Sequence, residues 1–128
     1  MDENLINLFL QYQGTPSFCG HPSISSVHDL GSMGETLLNL AVNLQAKKDI
    51  LLLIKNGADV NKPGELEFTP LQNACLHGNT SIIKILLENG ANQNIKNEFG
   101  YNARHYATEE YHGKKKSKEI MNLLKYYK

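Results

Sequence analysis

The chain is poor in the features that secreted scaffolds, membrane proteins and enzymes depend on. It has two cysteines, Cys19 and Cys75, among 128 residues. That is too few for a disulfide framework, so two free thiols are expected. No apolar run approaches the ~20 residues needed to span a bilayer. The opening Met1-Asp2-Glu3-Asn4 lacks the basic stretch of a secretory signal, so an intracellular, cytoplasmic location is expected, with no membrane contact. No phosphate loop, Ser/His/Asp or Cys/His spacing, or paired-carboxylate motif is present. This argues against an enzyme, a small-molecule substrate or a cofactor. Cys19, His21 and His28 offer three metal ligands with no fourth at zinc spacing, so no metal site is expected. Positive charge is missing from residues 1–46, which carry Asp2, Glu3, Asp29 and Glu35, whereas residues 114–128 hold six lysines against Glu119 alone. Net charge is zero, but one end is acidic and the other basic.

What the chain does have is a step of 33 residues. Ala41, Ala74 and Ala107 keep that step, as do Thr36, Thr69 and Asn102, and so do Asn56-Gly57-Ala58 and Asn89-Gly90-Ala91. Several landmarks on one spacing specify an array of like units. Within a unit, Thr36 or Thr69 is placed to cap a helix, with Pro70 at the first helical position. Leu37, Leu38 and Ala41 begin a short first helix, and Leu71, Ala74 and Cys75 its counterpart. Ile50, Leu51, Leu53 and Ile54 mark a second helix, as do Ile82, Ile83, Ile85, Leu86 and Leu87 one step later. Gly57 and Gly90 fall where a left-handed helix end favours glycine. Polar, turn-rich links follow over 59–68 and 92–101. Cys75 reads as a small core residue. Met1 to Gln13, with Leu5, Ile6, Leu8, Phe9 and Leu10, reads as a capping helix, and 14–26 as an irregular link.

Thr69-Pro70-Leu71-Gln72-Asn73-Ala74 and Ile82-Ile83-Lys84-Ile85-Leu86-Leu87-Glu88-Asn89-Gly90-Ala91-Asn92 resemble the two helices of the ankyrin repeat, and the copy from Gly34 to Asn61 matches nearly as well. The resemblance implies an all-α ankyrin-repeat helix-turn-helix solenoid with β-hairpin fingers, about three repeats and an N-terminal capping helix. It divides a single domain into a cap and link at 1–27, repeats at 28–61 and 62–94, and a degenerate capping repeat at 95–128. Departures stand out. Asn39 and Gln72 replace the usual His, Glu67 stands where the finger turn has Gly, and the last second helix (119–124) arrives four residues late, after a lysine-rich insertion expected to be a solvated loop. His105 keeps the family's structural His position.

In this family partners bind finger tips and the outward side of first helices. By position, the contact residues fall on Met33, Glu35 and Leu44 in the first copy. They fall on Glu65, Leu66, Phe68, Leu76 and His77 in the second, and on Glu98, Phe99, Tyr101, Glu109 and Glu110 in the last. Apolar and aromatic residues at solvent-facing positions have the composition of a protein interface, and the charged members are all acidic, which favours a basic partner. The expected function is a protein–protein interaction module. Small arrays of this type resemble bacterial immunity proteins, which implies a toxin inhibitor whose partner is a basic nuclease-type toxin; the alternative is a regulatory or effector adaptor on a cellular or host protein. The acidic strip makes nucleic acid an unfavoured ligand.

Overall fold

The computed structural model describes residues 2–18 and 23–127. Among them the chain forms six α-helices and no strand: α1 Glu3–Gln13, α2 Leu37–Asn43, α3 Lys47–Lys55, α4 Pro70–His77, α5 Thr80–Glu88 and α6 Glu109–Tyr126, with 3₁₀ segments at Glu65–Glu67 and Ala103–Ala107. The helices are where the caps place them. Thr36 Oγ accepts from the Asn39 amide. Thr69 Oγ accepts from the Gln72 amide while the Gln72 side chain accepts from Thr69 N–H, a closed capping box just before Pro70. Asn79 caps α5 in the same way through Ile82. Gly57 and Gly90 take the left-handed conformation expected of them.

Helices pair as hairpins, α2 with α3 and α4 with α5, and the short first helices stack α2 on α4 and α4 on the 3₁₀ segment 103–107. Ala41, Ala74 and Ala107 are fully buried at these crossings, as small residues must be where backbones approach closely. Cys75 is buried beside Ala74 as core packing, and burial pushes its thiol up to about 12. Asn102 makes no side-chain cap bond and is followed by a 3₁₀ turn rather than a full α-helix, consistent with the loss of Thr-Pro-Leu there.

The N-terminal helix caps the stack as expected, laying Leu5, Leu8, Phe9 and Tyr12 against α3, with Tyr12 Oη donating to Asp49 at 2.9 Å. Ile6 and Leu10 stay exposed on its outer side. Part of the irregular link is structural: Phe18 is buried, and Ser17 O accepts from Ser32 N–H at 2.7 Å, so this segment braces the first finger.

Two expectations are corrected. The fingers are not β-hairpin ladders. Each is a five-residue turn whose ends are joined by a backbone bond, from Gly31, Gly64 and Asn97 N–H to Glu35, Phe68 and Tyr101 O at 2.8, 2.9 and 2.9 Å, with a tighter turn bond inside it from Gly34, Glu67 and Gly100 N–H to Gly31, Gly64 and Asn97 O. One isolated bridge, Leu30 with Thr36, is the whole of the β-pairing among the described residues. The second arm has no length in which to extend a ladder, because the residue after the turn, Thr36 or Thr69, is already the N-cap of a helix. The lysine-rich insertion is not a loop either. A helical turn follows Thr108, Gly113 breaks it at φ 77°, and helix resumes to Tyr126. Ser117 anchors this arm by donating to Ala107 O at 2.6 Å, while Ile120 and Leu124 fill the core.

Candidate protein-binding face

The second and third fingers are each held by the first helix of the repeat before them. The Asn39 amide donates to Phe68 O at 3.0 Å, and the Gln72 amide to Ile95 O at 2.7 Å and Tyr101 O at 3.4 Å. The substituted amides thus tie one repeat to the next finger, and Phe68 and Tyr101 are the acceptors one step apart. Glu98 N–H donates to Leu66 O at 3.1 Å, joining the second finger to the third. The tips are therefore positioned by bonds between repeats, and the array presents them in one row.

Glu35 does not belong to that row. Its carboxyl was expected to face solvent, but the residue is 6% exposed. The carboxylate turns under the second finger, where it accepts from the backbone of Thr36 and Glu65 and from the Asn39 amide. It lies so close to the Gly64 α-carbon that a β-carbon there would collide with it. Burial holds its pKa above the usual carboxylate range, partly offset by those hydrogen bonds. Glu35 is a strut between fingers, and the reason is the missing side chain at Gly64, which opens the space it occupies.

Phe68 is half-buried, its ring 5.3 Å from Tyr106 and 6.3 Å from Phe99. It anchors an aromatic cluster from below. The other expected contact residues are exposed: Met33 (69%), Phe99 (59%), Leu44, Leu66, Leu76 and Tyr101, together with His77 and the carboxylates of Glu65, Glu98, Glu109 and Glu110. His77 is not free of duties, since its Nε2 bonds Asn43 Oδ1 at 3.1 Å across the step. Met33 and Leu44 lie in the first copy, at a distance in the array from the aromatics of the third.

Position matching overlooked three members of this face. Tyr111 is exposed, with its ring 5.8 Å from His105 and 5.7 Å from Tyr106. His105 stacks on Tyr101 with centroids 3.6 Å apart and planes 3° from parallel. The family's structural His position thus supports a ring of the face itself. Glu67 is the third, an exposed carboxylate beside Leu66 at the tip of the second finger. The signal for Tyr111 was the density of aromatics over 99–112, which the repeat frame alone does not rank. His112 is internal: its Nε2 lies 2.5 Å from Cys75 O and 2.9 Å from Tyr106 O, so it ties α4 to the last repeat.

Of the three weak metal-ligand candidates, Cys19 and His21 lie outside the described residues, and His28 is exposed on its loop. Among the described residues no group of three or more His, Cys, Asp or Glu is placed to hold a metal ion, and no helix is long and apolar enough to cross a membrane.

The comparisons with known proteins agree with this architecture. The family model for ankyrin repeats (3 copies) matches residues 38–128. The chain is similar to human BCL-6 corepressor-like protein 1, 43% identical over 76 residues, which are 58% of this chain and 4% of that protein. It is similar to human protein phosphatase 1 regulatory subunit 27, 33% identical over 78 residues, 61% of this chain and 49% of that one. A putative ankyrin repeat protein of fowlpox virus is 29% identical over 105 residues, 82% of this chain and 22% of the viral protein. The chain thus spans less than half the length of each of these relatives. With a matching family model over most of its length and the paired-helix stack in place, the chain belongs to the ankyrin-repeat family.

Proposed function

We propose that this chain binds one protein partner through the exposed row formed by its second and third fingers and the adjoining first-helix ends. The observation that carries the reading is the set Leu66, Leu76, Phe99, Tyr101 and Tyr111, large apolar side chains exposed on two fingers, α4 and the start of α6, which hydrogen bonds from Glu98 N–H, the Gln72 amide and His112 join. Contiguous exposed apolar surface with a polar rim is the composition of an interaction site. Rigid presentation lowers the ordering cost of binding.

Of the finer readings, a regulatory adaptor on a cellular protein is favoured by relatives whose names describe a corepressor-like protein and a phosphatase regulatory subunit. The inhibitor of a basic, nuclease-type toxin rests on the acidic rim, Glu65, Glu98, Glu109 and Glu110, which suits a basic partner of either kind.

The test is affinity capture with the wild type against a Leu66→Ala/Phe99→Ala double variant. Both side chains are exposed, so the fold is retained, unlike a change at Phe68. The variant is expected to bind the captured partner at least tenfold more weakly, as hot-spot truncations do. Equal binding by both proteins would place the interface elsewhere.

A further inference from the structure

The exposed aromatic residues of the third repeat are flanked in the chain mainly by carboxylates. Tyr101 is backed on one ring face by His105, and Tyr111 stands edge-on to the same imidazole. Phe99 joins the cluster through Phe68. Next to these residues and Leu66 in the chain stand Glu65, Glu67, Glu98, Glu109 and Glu110, all exposed, with Lys96 before the third finger. The ion pairs among the described residues, Lys84–Glu88 and Lys116–Glu119, involve none of the five. The finger segment 64–68 contains no cation, and the segment 97–111 contains only Arg104, which lines a separate cavity with Asn92, Asn102 and Tyr127.

We infer that this face receives an arginine-bearing segment of another protein, with the guanidinium seated on the exposed rings of Tyr101, Phe99 and Tyr111 inside the carboxylate fringe. The inference rests on the reading of the face as a docking surface and names the chemistry of its occupant. Aromatic rings attract cations through their negative faces. A guanidinium is planar and weakly hydrated, so it stacks on a flat ring with little desolvation, where an ammonium does so less well. Five unpaired carboxylates raise the local concentration of such a cation and reject phosphate-bearing or acidic partners. A second copy of this chain is the poorer occupant, because its one arginine is Arg104.

The experiment titrates a fluorescein-labelled peptide of alternating arginine and glycine into the full chain by anisotropy, beside lysine and glutamate counterparts, with amide chemical shifts to locate the contact. The arginine peptide is expected to bind several-fold more tightly than the lysine peptide, the glutamate peptide not at all, and the shifts to centre on 98–101, 105 and 109–111. Tyr101→Leu should weaken binding about fivefold, and the triple variant Glu98→Gln/Glu109→Gln/Glu110→Gln more strongly. A Lys114→Gln/Lys115→Gln variant should bind at least as well as the wild type. Undiminished binding by the Tyr101 or carboxylate variants, or shifts centred elsewhere, would overturn the assignment. So would a salt-sensitive dimer abolished by Lys114→Gln/Lys115→Gln, which would seat a second copy on the face. If the Leu66→Ala/Phe99→Ala variant loses its captured partner while the arginine peptide binds nowhere on this face, the docking surface stands and its cationic occupant is wrong.

Discussion

At the scale of single residues, Glu35 shows how a carboxylate can be drafted into the interior of a repeat protein. It satisfies the Glu65 amide, and it fills the gap left by Gly64. The burial that gives it this role also penalises its charge. Because its pKa in the folded state is raised, the folded protein takes up a proton at Glu35 before the unfolded chain does. The group's contribution is therefore fully favourable below the usual carboxylate range and is lost as pH rises through the raised folded value. Glu35→Gln keeps an acceptor for the amides and removes the charge, so it should raise the urea midpoint at pH 7. That advantage should shrink as pH falls toward 4. Urea titrations of both proteins across this range provide the check, and a difference independent of pH would mean the carboxylate carries no burial penalty. This residue was illegible in the sequence because a carboxylate next to a finger reads as surface, and its seat depends on a glycine 29 positions later.

At the scale of elements, the fingers show what the repeat frame preserves and what the local sequence resists. Gly34 and Gly100 stand at equivalent positions with φ of 77° and 81°, and the middle copy has Glu67 there at φ 61°, preceded by Leu66 at 57°. The frame keeps a left-handed residue at this step, here one whose β-carbon disfavours it, at about 1 kcal/mol or more. Glu67→Gly should relieve that strain and stabilise the protein by about 0.5–1 kcal/mol, after glycine's extra freedom in the unfolded chain is counted. Glu67→Val should destabilise it by more than 1 kcal/mol, since β-branched side chains tolerate this region least. Equilibrium unfolding of the pair decides the point: changes of the same sign would show that backbone strain is not what sets the tip. The caps at Thr36 and Thr69 and the glycines ending α3 and α5 were legible because each is a local rule. The lysine-rich insertion was not, because its helical arm is set by Ser117 bonding Ala107 O and by Ile120 and Leu124 entering the core, tertiary contacts that charge composition hides.

At the scale of the whole molecule, the stacking alanines and the exposed set at Leu66, Phe99 and Tyr101 were separable in the sequence, because the 33-residue step says which positions recur inward. The Tyr101–His105 stack was not, since it joins a finger to a first helix within one repeat and has no counterpart in the other two. The same step implies how the molecule unfolds. Its buried side chains form one continuous cluster from Leu5 in α1 to Leu124 in α6. With so few repeats, every unit borders a cap, and each interface is a large share of the neighbouring unit's stability. Leu8→Ala at one end and Leu124→Ala at the other should each cost about 2–5 kcal/mol, as buried leucine truncations do. Both should shift one and the same transition. Urea melts followed by far-ultraviolet and near-ultraviolet circular dichroism, the second reporting the tyrosine packing, should coincide for all three proteins. A biphasic curve in which Leu124→Ala moves only the later repeats would show that the aromatic face can fray while the N-terminal half stays folded. A single transition means that the proposed binding face is held by the entire stack, so a core change as remote as Leu8→Ala would weaken binding there only by lowering the folded fraction.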